Sequence, residues 1–333
     1  MDEPRFLVLR LGSLGDIVHT FPAVAGLRKS FPGAAIVWIT DERWRPLVER
    51  SNLATDIWTV DARSWRSVRS TVRGIRKETW RAAIDYQGLW KTAFFPYLGG
   101  VRRRIGFDSK TIREFGVPML YNERVRAQKE HIADQNGELS VQAGAQSGVA
   151  PFELRITAEE AAQSKEVRQH SGLHRYCVLC PGGGWRSKCW PAEHFGELSL
   201  QLRNEFGLRC VVNYGPGEEE LARAVGAASG VADIILDSSP LGPLMALLRD
   251  AELVVGGDTG PLHLAVALGT PVVALFGPTD PARNGPYRSA DIVLRSPDAR
   301  RDHTRRNSID TAMLGITVEA AAHAVRCRLE AQQ

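Results

Sequence analysis

The stretch Leu253-Val-Val-Gly-Gly-Asp-Thr-Gly-Pro-Leu-His-Leu-Ala-Val-Ala-Leu-Gly-Thr-Pro-Val-Val-Ala-Leu-Phe276 decides the fold. Residues 253–255 are apolar, two of them β-branched, which suits a strand buried on both faces. Gly256, Gly257 and Gly260 then break the pattern. Pro261 supplies the fixed φ that favours the first turn of a helix. Residues 261–268 read as that helix, and residues 271–276 return to a strand. Strand, glycine turn, helix, strand is the unit of a parallel α/β sheet.

The same rhythm extends outward. In the C-terminal half, residues 176–180 read as a strand, 191–205 as a helix, 209–213 as a strand and 218–228 as a helix. In the N-terminal half, strands are expected at 6–10, 35–40 and 83–86, with one helix over 16–30. Two such series imply two doubly wound domains. The polar segment 143–175, with Gly148 and Pro151, separates them. The expected organisation is a first domain over 1–160, a second over 161–315, and a terminal helix over 316–333 packing back on the first.

Composition agrees and narrows the function classes. At about 150 residues per domain, 333 residues suit two. A hydrophobic share of 44% and a charged share of 24% exclude a disordered chain. No apolar run reaches the roughly 18 residues of a membrane helix. The acidic start Met1-Asp2-Glu3-Pro4 has the character of neither a signal nor a transit peptide, so a cytoplasmic location is expected. The five cysteines are expected as buried thiols. Cys177-Val-Leu-Cys180 lies in a strand and has no second pair to complete a zinc site. Net charge is only +4, yet 35 of the 42 basic residues are arginine. Between Asp61 and Arg126, 15 basic residues face six acidic ones, which is +9 and leaves −5 for the rest. Arginine in that belt suits an anionic partner; a solvated helix face is the other reading.

Three strand-to-helix turns carry unusual chemistry, and in open parallel sheets ligands bind at such turns. Gly12-Ser-Leu-Gly-Asp16 follows the first strand. Asp16 is expected at or near a helix N-cap, where it is held anionic. A role as cap alone and a role as proton acceptor from a substrate hydroxyl are both open. Pro181-Gly-Gly-Gly-Trp-Arg-Ser-Lys188 lets main-chain amides approach a ligand, with Lys188 following as for a phosphate. It does not fit a Walker A loop, and no G-x-G-x-x-G marks a nicotinamide site. Asp258, Thr259, Gly260 and His263 open the helix after residue 257, where free N–H groups favour an anion. A nucleic-acid binder would leave these glycine turns unexplained.

With those residues in view, the chain resembles glycosyltransferase family 9, the bacterial lipopolysaccharide heptosyltransferases. The resemblance rests on Asp258 to Pro281, on Arg10 to Ala23, on Asp85-Tyr-Gln-Gly-Leu-Trp-Lys-Thr92 and on His131-Ile-Ala-Asp-Gln135. The latter three are most like heptosyltransferase I. The resemblance implies a GT-B fold, two Rossmann-like parallel-sheet domains facing across a cleft, with the acceptor on the first and the nucleotide-sugar on the second. It implies inverting transfer of a heptose from ADP-L-glycero-β-D-manno-heptose to a Kdo residue of lipid A, at the inner-leaflet surface. No essential metal, no other cofactor and no nucleic-acid partner are implied. Asp16 takes the position of the general base. Arg63, Arg66, Lys91 and Arg113 fall at acceptor positions. Gly183, Gly184, Lys188, Glu218, Asp258, Thr259, Gly260 and His263 fall at donor positions, with Glu218 at the adenosine ribose. The glycines before Lys188, and Pro261-Leu262 before His263, depart from heptosyltransferase I. Heptosyltransferase II, or a GT-B sugar-nucleotide epimerase, is the alternative.

Overall fold

The computed structural model describes residues 3–112, 114–230, 234–302, 304 and 308–331. They form two compact units, one ending at Arg155 and the other beginning at Ile156. The first holds β1 (Arg5–Leu9), β2 (Ala35–Thr40), β3 (Asp56–Thr59), β4 (Ala82–Asp85), β5 (Arg104–Phe107) and β6 (Glu123–Val125), in the order β3-β2-β1-β4-β5-β6. The second holds β7 (Tyr176–Cys180), β8 (Arg209–Asn213), β9 (Ile235–Asp237), β10 (Leu253–Gly257), β11 (Val272–Phe276) and β12 (Ile292–Arg295), in the order β12-β11-β10-β7-β8-β9. Counted within its own unit, each sheet reads 3-2-1-4-5-6, the doubly wound Rossmann order. Every strand pair is parallel. The twofold Rossmann-like α/β class, the basis of the GT-B fold, is therefore what the chain adopts.

Central strands are buried on both faces, which is why they read as unbroken apolar runs. β7, β10 and β11 are buried at every residue. In the first unit, Leu7, Leu9, Val37 and Ile39 pack against Ile75 of the helix Trp65–Arg76 and Phe95 of the helix Trp90–Leu98. In the second, Leu179, Val212 and Val255 pack against Phe195 and Leu198 of the helix Ala192–Phe206. Each such side chain contributes about 1.5–3 kcal/mol on burial.

Three expectations change. The single helix over 16–30 is two, Leu14–Val18 and Phe21–Ser30. Pro22 lacks an N–H and its ring crowds the carbonyl four residues back, so the chain turns at His19 and Thr20. The terminal helix Val318–Glu330, expected to pack back on the first domain, belongs to the core of the second unit. Val318, Ala321, Ala322 and Val325 join its core, and Arg328 meets Asp291 at 3.3 Å. Its small apolar face fits closely beside the helix Ala192–Phe206 and the strands β11 and β12. The division also falls just before the helix Ala158–His170, which the polar segment conceals because only Ser164 in it is buried.

Four of the five cysteines are buried and all are free thiols. Among the described residues, no helix is long and apolar enough to cross a membrane.

Candidate active site

In each unit the topology reverses between two neighbouring central strands, β1 and β4 in the first, β7 and β10 in the second. The turns after these four strands therefore open at a switch point, where α/β sheets place ligands.

In the second unit, the turn after β7 delivers Lys188 and the turn after β10 delivers Asp258. Lys188 Nζ lies 2.5 Å from Asp258 Oδ2 and donates to the Asp258 carbonyl at 3.0 Å. His263 Nε2 lies 2.9 Å from Asp258 Oδ1. The Lys188 ammonium also sits 4.2 Å from the centre of the Trp185 ring, a cation–π contact. Exposure is only 8% at Lys188, 7% at Asp258 and 5% at His263, so the Lys188–Asp258 pair acts with little screening. Burial pushes the Asp258 carboxyl up. The His263 hydrogen bond and the Lys188 charge outweigh it, and hold the group well below the usual carboxylate range. Asp258 thus orients both neighbours from behind.

Next to this cluster, Thr259 is the extended N-cap of the helix Gly260–Ala267 and its side chain makes no cap bond. The first N–H groups of that helix have no partner inside it. Thr259 Oγ1 and Ser187 Oγ are buried without a hydrogen-bond partner. Two orphan hydroxyls, a helix N-terminus and a buried ammonium are donors suited to phosphate oxygens.

The glycine turn divides its labour. A Cβ on Gly182 would stand 2.3 Å from both carboxylate oxygens of Glu218. Gly182 is thus small so that Glu218 can lie over it, accepting from the Gly215 N–H at 2.9 Å. At Gly183 the nearest atom would be Cys189 Sγ at 3.2 Å, and at Gly184 no protein atom lies within 4 Å. Gly184 leaves open space at the edge of the turn. Asn213 and Asp237, at the ends of β8 and β9, pair at 3.2 Å beside Ser239, which donates to Asp237 at 2.6 Å. Sequence reading missed this buried polar group. Its one signal was the run Asp237-Ser-Ser239 closing a short strand.

In the first unit, Asp16 is not the N-cap. Ser13 takes that position, and Asp16 is the third helical residue. Its Oδ2 accepts from the Ser13 N–H and hydroxyl, both at 3.0 Å. Its Oδ1 meets Arg10 at 2.6 Å. The Asp16 side chain keeps 46% exposure, while that of Arg10 keeps 7%. A buried guanidinium, which also donates to the Tyr86 carbonyl, therefore braces an accessible carboxylate. Arg10 was not among the sequence candidates, because one arginine ending a strand has no distinguishing pattern.

The turn after β4 is pinned to the turn after β1. Buried Asp85 accepts from Tyr121 at 2.7 Å and from the N–H groups of Gln87 and Gly88 at 2.9 and 3.1 Å. Burial raises the Asp85 carboxyl above its ordinary range. Gly88 has φ +69°, a left-handed conformation that side chains disfavour. The loop so fixed lets Gln87 accept from the Leu11 N–H at 2.7 Å.

Arg63 and Arg66 are exposed at the start of the helix after β3, and Lys91 is exposed in the first turn of the helix after β4. Strands β1, β3 and β4 are parallel, so these three share one sheet edge with Asp16. Lys91 also adds to the charges that lower Asp41, whose N–H donates to the Leu11 carbonyl. Arg113 lies outside the described residues.

Known proteins are similar to this chain in sequence and fold. Lipopolysaccharide heptosyltransferase 1 of Escherichia coli K12 is 29% identical, covering 88% of this chain and 94% of its own. The protein of that name from Pseudomonas aeruginosa is 28% identical, covering 88% and 84%. A family 9 glycosyltransferase structure from Veillonella parvula superposes with a TM-score of 0.85 at 24% identity, over 99% of this chain and 98% of that one. The Escherichia coli heptosyltransferase WaaC with ADP gives 0.76 at 25% identity, over 97% and 99%. The family model described as glycosyltransferase family 9 (heptosyltransferase) matches residues 68–312, well over half of the sequence. The chain belongs to glycosyltransferase family 9.

Proposed function

We propose that this enzyme moves a heptose from ADP-L-glycero-β-D-manno-heptose to a Kdo residue of the lipopolysaccharide inner core, with inversion at the anomeric carbon. The observation that carries this reading is the buried Lys188–Asp258–His263 cluster at a Rossmann switch point, beside two unpartnered hydroxyls. That is a site for a diphosphate. The names of the relatives, lipopolysaccharide heptosyltransferase 1 among them, supply the sugar and the acceptor class.

In the transfer, an acceptor hydroxyl oxygen bonds to the anomeric carbon as the bond from that carbon to the β-phosphate oxygen breaks. The electron pair leaves with ADP, and the hydroxyl proton passes to Asp16. Lys188, His263 and the amides opening the helix Gly260–Ala267 meet the growing negative charge on the diphosphate, where preorganised donors are most effective. Gly183 and Gly184 give the sugar diphosphate room, and Glu218 takes the ribose hydroxyls. Arg63, Arg66, Lys91 and Arg113 bind the acidic acceptor. One base acting on one face of the sugar gives inversion. In this reading the leaving group's charge is met without a resident metal or cofactor. The enzyme works at the cytoplasmic face of the inner membrane.

The test is incubation with ADP-heptose, with and without Kdo-lipid A. Product mass and the anomeric configuration by NMR are read out. Acceptor-dependent gain of one heptose with inverted configuration is expected. A retained configuration, or heptose conversion without an acceptor, overturns the reading.

A further inference from the structure

The helix Trp90–Leu98 is apolar on both sides. Thr92, Ala93, Phe95 and Pro96 face the core. Trp90, Phe94, Tyr97 and Leu98 recur at helical spacing on the opposite face and remain exposed. The patch continues into the following segment, where Phe115 is 97% and Met119 75% exposed. That segment is held against the start of the helix. Glu114 accepts from the Trp90 N–H at 2.8 Å, and a Cβ on Gly116 would stand 2.8 Å from the Trp90 ring. Contiguous exposed apolar surface of this kind marks an interaction site.

What surrounds the patch says what it meets. The neighbouring helix Trp65–Arg76 is tied alongside, with Arg76 Nε donating to the Leu98 carbonyl at 2.9 Å. Its outer face carries Arg66, Arg69, Arg73 and Arg76, headed by Trp65 at 73% exposure. No aspartate or glutamate occurs from Ala62 to Lys77 or from Gly88 to Phe107. Aromatic side chains bordered by unopposed arginines suit an interface of acyl chains and anionic headgroups, with the rings at the boundary and the guanidiniums against phosphate. Both helices follow parallel strands, so Trp65 and Trp90 begin at the sheet edge that carries Asp16, and Glu114 holds the Phe115 segment to Trp90.

We propose that this face of the first unit docks on an anionic lipid bilayer, presenting the Asp16 edge to a lipid-linked acceptor. The proposal deepens the transfer reading and rests on it for the acceptor, but its binding test uses vesicles without substrate. The full chain is co-sedimented with vesicles of roughly one part phosphatidylglycerol to three parts phosphatidylethanolamine, and with pure phosphatidylcholine vesicles. Binding to the anionic vesicles is expected, weakened between about 0.1 and 0.5 M salt. Two double variants outside the catalytic and substrate-binding residues, Phe115→Ser with Met119→Ser and Arg69→Glu with Arg73→Glu, should each lower partition at least tenfold. Their unfolding temperatures, and their ADP release with a water-soluble Kdo acceptor, should stay at the parent values. Partition unchanged in both variants overturns the proposal. So does equal binding to neutral vesicles, or loss of self-association in the serine variant without any vesicle binding, which would make the face an interface between copies. Vesicle binding without heptosyl transfer would instead refute the transfer reading and leave the docking face standing.

Discussion

Replacing Asp258 by asparagine tests the part of the proposed donor site that holds the rest. The carboxylate is almost fully buried and pairs with Lys188 at 2.5 Å and His263 at 2.9 Å. Removing one partner of a buried ion pair costs about 3–5 kcal/mol, because the other charge is left uncompensated. Lys188 keeps the residue-258 carbonyl and the Trp185 ring, so the lower end, about 3 kcal/mol, is expected for Asp258→Asn. For a unit of this size that lowers the unfolding temperature by about 6–12 °C. Asp258 is held below its ordinary range when folded, so its contribution is complete above the unfolded-state value near pH ~4 and declines as pH falls below it. Asp258→Asn cannot take up that proton, so its stability gap to the parent should be full at neutral pH and narrow under acid. The assay is urea unfolding across pH for the parent, Asp258→Asn, Lys188→Met and the double variant. The double variant should be more stable than the sum of singles by at least about 1 kcal/mol. Additivity within about 0.5 kcal/mol, or a stability gap that does not change with pH, would refute the reasoning.

Other outcomes follow from the same geometry. Asp16→Asn should leave ADP-heptose affinity by calorimetry unchanged and lower turnover at least about 100-fold, whereas near-parent rates would end its assignment as base. Gly182→Ala drives a Cβ into the Glu218 carboxylate and should cost about 1–3 kcal/mol of stability along with donor affinity. Gly184→Ala meets open space and should change stability by less than about 0.5 kcal/mol, so equal melting temperatures for these two variants would contradict the division of labour in the turn. Arg63→Ala combined with Arg66→Ala should raise the acceptor KM and not the donor KM. Equal effects on both would move these arginines out of the acceptor site.

What could be read from residues alone followed their burial. β7, β10 and β11 lie between helices on both faces and are legible as apolar runs, and the turns after them are legible because glycine and proline leave few backbone choices. β5 and β6 escaped notice because Arg104, Glu123 and Arg124 interrupt them. The outermost strand β6 is only partly buried and tolerates charge. The candidate site was legible where its residues are neighbours in sequence, as in Asp258 to His263. It was not where they meet through the fold. Lys188 reaches Asp258 across 70 residues, and Arg10 reaches the Tyr86 carbonyl across 76. Pairings of that kind leave no spacing to detect.

The ion pairs at the two switch points suit the different work proposed for each unit. At the first switch point the cation is buried and the anion accessible. Arg10 is shielded beneath an exposed Asp16, so the carboxylate is fixed while presenting oxygen to solvent. At the second switch point all three groups are shielded, and the anion Asp258 positions the ammonium and imidazole beside it. A proton acceptor has to be anionic and reachable, whereas a site for a departing diphosphate has to be cationic and preorganised. In the proposed transfer, Arg10 serves the carboxylate that takes the proton, and Asp258 serves the groups that meet the phosphate. Exchanging the two designs would put a carboxylate against phosphate and a guanidinium against a hydroxyl to be deprotonated, and neither would assist the transfer. In the proposed transfer, the polarity of each pair, more than the Rossmann order common to both sheets, suits the first unit to the nucleophile and the second to the leaving group.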